Sequence, residues 1–152
     1  MTDQTKGSVV LLHGLGRTSR SMRTLAAAAR RAGYATYAPG YPSRRWSMAA
    51  IVAHLAPLIG AFAAQRDGPL YIVTHSLGGL VARALILAHR PARLARVVML
   101  APPNAGSEIA DLLYRLRLNC LFLGPVGPHL RTARPIDDER LLGPVDFNLG
   151  IN

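Results

Sequence analysis

The residues best placed to do chemistry lie in Leu70-Tyr-Ile-Val-Thr-His-Ser-Leu-Gly-Gly-Leu80, where an apolar run enters a polar serine and leaves through two glycines. The pattern predicts a strand, a sharp turn at Ser76 and a helix from Leu77. So tight a turn brings the strand and helix backbones together, and side chains two positions from the serine would collide. Gly78 and Gly79 leave that room, and Thr74 stands at the other small position. A serine hydroxyl held at such a turn can attack an acyl carbon. The same serine could also serve only as the N-cap of the following helix.

A second segment, His13-Gly14-Leu15-Gly16-Arg17, closes the first apolar run of the chain. Thr74-His75-Ser76-Leu77-Gly78-Gly79 resembles the nucleophile elbow of α/β-hydrolases of the lipase and esterase type, departing from G-x-S-x-G at Thr74. The His13 segment is similar to the His-Gly loop that supplies half of an oxyanion hole in lipases. Ala101-Pro-Pro-Asn-Ala-Gly-Ser-Glu-Ile-Ala-Asp111 resembles a Pro-x-x-Gly-Ser-x-x-Ala-Asp stretch that bacterial lipases carry after the next strand. In that order the three segments recur in small bacterial hydrolases, and the likeness covers roughly residues 8 to 111.

The resemblance implies a serine hydrolase cleaving carboxylic esters through an acyl-enzyme on Ser76, without a cofactor. Acyl transfer builds negative charge on the carbonyl oxygen, and fixed backbone N–H groups stabilise it. By position these are Leu15 and Leu77. The family's triad runs nucleophile, acid, histidine, the last two on loops after later strands. His129 is the sole histidine after His89, and Glu108 and Asp111 sit in a stretch the family does not use for its triad. His75 is expected to pack beneath the elbow, and His13 and His89 to be structural. The chain is therefore read as a fragment lacking the triad acid and histidine, or as a decayed relative that still binds acyl or carboxylate ligands.

Around these residues, short β-like runs alternate with longer helix-like ones, a βαβ rhythm. Strands are expected at Ser8 to His13, Tyr34 to Ala38, Leu70 to His75 and Arg96 to Ala101. Helices are expected at Arg20 to Ala32, Ser47 to about Gln65 and Leu77 to His89. Val97-Val98-Met99-Leu100 suits a strand covered on both faces. The fold class is α/β, a single α/β-hydrolase-like domain over residues 1–152. Its sheet is expected to be mostly parallel, with helices on both faces, and incomplete at the C-terminal end. Ser107 to about Leu118 reads as a helix, and Leu121 to Pro144 as loop and short helix. Leu121 to Val126 could line an acyl pocket or cover the core, and Val145 to Asn152 could open a fifth strand.

Other function classes find less support. The formal charge of +10 could serve nucleic acid or an anionic surface, but the arginines are dispersed and no aromatic residues are interleaved to stack bases. Gly14-Leu-Gly16-Arg-Thr-Ser19 is a near-miss to the dinucleotide fingerprint, with Ser19 in place of the third glycine and no acid between Asp3 and Asp67. No metal is expected, because no histidine pair has H-E-x-x-H spacing and Cys120 is alone. That lone cysteine and the short apolar run at the N-terminus suggest a cytoplasmic protein rather than an exported one. Trp46 to Gln65 is uncharged, but His54, Pro57 and its many alanines make it a crossover helix rather than a membrane span.

Overall fold

The computed structural model describes residues 6–103, 108–117 and 119–132. Strand β1 (Ser8–Leu12) is followed by a 3₁₀ turn (Ser19–Met22) and helix α1 (Arg23–Arg31). Strand β2 (Ala35–Tyr37), helix α2 (Met48–Ala64), strand β3 (Leu70–His75), helix α3 (Leu77–His89) and strand β4 (Leu94–Leu100) come next. Helices α4 (Glu108–Arg115) and α5 (Asn119–Phe122) and a 3₁₀ turn (Gly124–Leu130) complete the described chain. Every strand pair is parallel, in the order β2-β1-β3-β4. The expected fifth strand at Val145 to Asn152 lies outside the described residues.

Local signals explain the element ends. Gly33 follows α1 with a φ of +90°, left-handed geometry that glycine adopts without a Cβ penalty. Ser47 caps α2 by accepting the Ala50 N–H at 3.2 Å. Helix α2 begins one residue after the predicted start and runs through Pro57 to Ala64. It is a packed crossover between β2 and β3, as the sequence suggested. Among the described residues no helix is long and apolar enough to cross a membrane.

Two helices cover one face of the sheet. Val10, Leu12 and Ile72 point into a core shared with Ile51, Leu55 and Ile59 of α2 and Leu80, Val81 and Leu85 of α3. On the other face Val9 and Leu11 pack against Met22 and Ala26, so α1 lies over β1 and β2. The expectation that β4 is covered on both faces does not hold among the described residues. Val98 and Leu100 are 44% and 39% exposed, and the core cluster to which α1 contributes includes no residue of β4. Leu123, Val126 and Leu130 are buried in the main core, so this end of the apolar loop covers the core.

Candidate active site

Strand β3 delivers Ser76 at the rim of the sheet, and α3 begins at the next residue. Ser76 has φ 52° and ψ −123°, and its side chain makes no capping hydrogen bond to the helix. An N-cap serine instead has extended backbone and an engaged side-chain oxygen. The capping alternative therefore fails on both counts. Positive φ on a non-glycine residue costs about 1–3 kcal/mol and persists only where the surroundings enforce it. Here they do: the Ser76 N–H donates to Leu100 O at 2.9 Å, and Ser76 O accepts from Gly79 N–H at 2.9 Å.

The glycines act through space. A Cβ on Gly78 would stand 2.5 Å from Leu12 O, and one on Gly79 would stand 2.9 Å from Pro102 Cβ. A Cβ on Gly14 would lie 3.3 Å from Ser76 Cβ and 3.2 Å from His75 Nδ1, so the first loop crosses directly beside the serine. Thr74, at the position of the family glycine, is fully buried with its hydroxyl unpartnered among the described residues. The turn forms with Thr74 in place, at the cost of a buried hydroxyl without a hydrogen bond.

The first loop is pinned from below. His13 is fully buried and stacks on the Tyr41 ring, with centroids 4.0 Å apart. Its Nδ1 lies 2.9 Å from Gly14 O, and its Nε2 faces the Tyr41 N–H at 3.4 Å. A proton on Nδ1 and a lone pair on Nε2 satisfy both contacts. Burial lowers the His13 pKa from its usual value, the Gly14 carbonyl opposing only in part, which keeps the ring neutral. The Tyr41 hydroxyl donates to His13 O, and burial pushes its own pKa well up. Ser43 Oγ accepts the Gly16 N–H at 3.0 Å and reaches Gly14 O at 3.5 Å. Tyr41 and Ser43 are not singled out by the sequence, because no local signal ties residues 28 positions apart.

Ser43 thus engages the Gly16 N–H, Gly14 O accepts the Arg17 N–H at 3.2 Å, and the Leu15 N–H is left without an acceptor among the described residues. The Leu77 N–H, at the first residue of α3, is likewise without one. A cleft of about 380 Å³ opens beside the loop, lined by Arg17, Thr18, Tyr41, Pro42, Trp46 and His54.

The histidines do not join the serine. His13 is structural, as expected. His75 is exposed rather than packed beneath the elbow, because strand alternation turns it to the open face that also carries Val98 and Leu100. His54 meets the Trp46 ring edge-on at 5.1 Å, and His89 is exposed at the end of α3. Among the described residues none hydrogen-bonds Ser76. Asp111 is engaged elsewhere: the Thr132 hydroxyl and N–H and Arg131 bind its carboxylate, and these bonds, Thr132 foremost, lower its pKa.

Known proteins share this fold. The sequence model of the alpha/beta hydrolase family matches residues 9–149. The chain belongs to the α/β-hydrolase family. Within it the relatives are of lipase and esterase type. Lipase LipV of Mycobacterium tuberculosis (strain ATCC 25618 / H37Rv) is 37% identical over 82 residues, which cover 53% of this chain and 30% of LipV. Bacillus licheniformis lipase BlEst2 in its mature form superposes with a TM-score of 0.70 at 23% identity, over 84% of this chain and 56% of that one. Phospholipase PlaB from Legionella pneumophila gives 0.67 at 21% identity, over 88% of this chain and 34% of its own. The chain thus spans about a third of LipV and just over half of BlEst2.

Proposed function

We propose that this α/β-hydrolase cleaves carboxylic esters through an acyl-enzyme on Ser76. The observation that carries the reading is the backbone of Ser76, held at φ 52° with its side chain uncommitted beside the Gly14 loop. Ser76 Oγ attacks the acyl carbon, the carbonyl oxygen gathers negative charge, and the Leu15 and Leu77 N–H groups receive it. The serine proton ends on the departing alkoxide, so the alcohol leaves; water then adds to the acyl carbon, and its proton restores the serine hydroxyl as the acid departs. The lone Cys120, which forms no intrachain disulfide, supports a reducing, cytoplasmic setting.

A second reading is favoured by one observation, that no described histidine hydrogen-bonds the serine. In it the chain is an incomplete relative whose two N–H groups bind acyl or carboxylate ligands without turnover. A fluorophosphonate probe separates the two. Labelling of the native chain that disappears in Ser76→Ala supports the hydrolase. An unlabelled native chain that still binds short carboxylates, with folding verified by circular dichroism, supports the binding module.

A further inference from the structure

Arginines that look scattered along the sequence are gathered by the first helix. Arg20, Arg23, Thr24, Ala27, Arg30 and Arg31 line one groove, at the spacing of a single helical stripe roughly 16 Å long. All four arginines are exposed. Arg30 donates to the Thr36 hydroxyl at 2.9 Å, and Arg20, Arg23 and Arg31 form no ion pair among the described residues. No acidic residue occurs between Asp3 and Asp67 to offset them.

Arg30 and Arg31 sit in the last turn of α1, where the helix dipole favours cations, but Arg23 opposes the dipole. Arg23 opens α1, whose first turn holds no acid, so a cation faces the positive end of the helix dipole. An anion laid on this turn would relieve that repulsion and the one between the arginines together. The groove shares Ser19 with the cleft that contains Arg17 and Tyr41, so whatever covers the stripe also meets the rim beside the first loop.

We propose that this stripe docks the protein on an anionic lipid surface, with head-group phosphates against Arg20, Arg23, Arg30 and Arg31 and the cleft lined by Arg17 and Tyr41 at the margin of the contact. A flat, phosphate-bearing surface suits a linear row of guanidinium groups, which bind phosphate oxygens in pairs. Nucleic acid is the competing polyanion, but no aromatic ring lines the groove to stack a base. Each basic residue near such a surface strengthens binding about fivefold.

Vesicle sedimentation with the whole chain tests this, using phosphatidylcholine alone and phosphatidylcholine mixed with phosphatidylglycerol. The native chain should bind only the mixed vesicles, less so as salt rises. Arg20→Gln/Arg23→Gln should weaken that binding about 25-fold. Arg66→Gln/Arg90→Gln, which removes the same charge elsewhere, should change it less than twofold. Ser76→Ala should bind like the native chain, so the result does not depend on turnover. Equal loss in both double variants would reduce the effect to net charge and overturn the proposal. So would equal binding to both vesicle types, no binding to either, or tighter binding to duplex DNA than to the mixed vesicles. Thermal melts of each variant identify any loss caused by unfolding, and in that case the single variants Arg20→Gln and Arg31→Gln carry the comparison.

Discussion

The carbonyl oxygen of Leu12 lies so near Gly78 that a Cβ there would stand only 2.5 Å away. Strand β1 and helix α3 thus touch through backbone, and Leu12 is followed directly by the loop that runs beside Ser76. The closeness of loop and serine is a consequence of having no side chain at position 78.

Gly78→Ala should therefore force β1 and α3 apart. Overpacking of this kind costs about 1–3 kcal/mol, and moving the loop from the serine should slow fluorophosphonate labelling at least tenfold. Gly60→Ala in α2, where nothing lies within 4 Å, should stabilise the protein by about 0.5–1 kcal/mol. Denaturant melts of the two variants should move in opposite directions. A Gly78→Ala protein as stable and reactive as the native one would show that the contact is not tight in solution.

Tyr41 acts on the loop from beneath. Tyr41→Phe keeps the ring stacked on His13 but leaves the buried His13 carbonyl without the hydroxyl that binds it. An unpaired buried acceptor costs about 1–3 kcal/mol. The loss should appear in denaturant melts and, if the loop shifts, as slower labelling of Ser76 while Tyr37→Phe leaves both unchanged.

Acid should weaken the fold through His13. Burial depresses its pKa below the ordinary 6.5, so below that pH the unfolded chain takes up a proton that the folded one refuses. This contribution is complete above pH 6.5 and is lost as pH falls from there toward the folded value. Chemical denaturation from neutral to mildly acidic pH should show stability falling by up to about 1.4 kcal/mol per pH unit. His13→Asn, which retains a donor near Nδ1 and does not titrate, should flatten the slope. An unchanged slope would assign the acid sensitivity to another group.

Much of this was legible in the sequence because the signals were local. Leu70–His75 and Leu77–His89 were located to the residue, since strand alternation, the small residues and helical apolar spacing agree across the turn. The sharp turn at Ser76 is readable from the same segment. What escaped was long-range: Tyr41 and Ser43 meet the loop through contacts spanning nearly thirty residues, and no periodicity encodes such a contact. The coverage of β4 was misjudged for a related reason, because an apolar run such as Val97–Leu100 reports suitability for burial and not which helix reaches it.

Thr74 offers the sharpest test of how the altered elbow is held. Its hydroxyl is buried and unpartnered among the described residues, with Oγ1 3.5 Å from where a Cβ on Gly79 would stand, and the side chain as a whole is fully buried. Thr74→Val preserves the shape and removes the unsatisfied hydroxyl, so it should stabilise the protein by about 1 kcal/mol with Ser76 labelling unaltered. Thr74→Gly restores the family's small residue but empties the buried volume of the side chain and frees the backbone, so it should destabilise by about 1–2 kcal/mol. If Val proves the worse of the two, the hydroxyl has a partner in solution, and the turn depends on that bond rather than on the volume of the side chain.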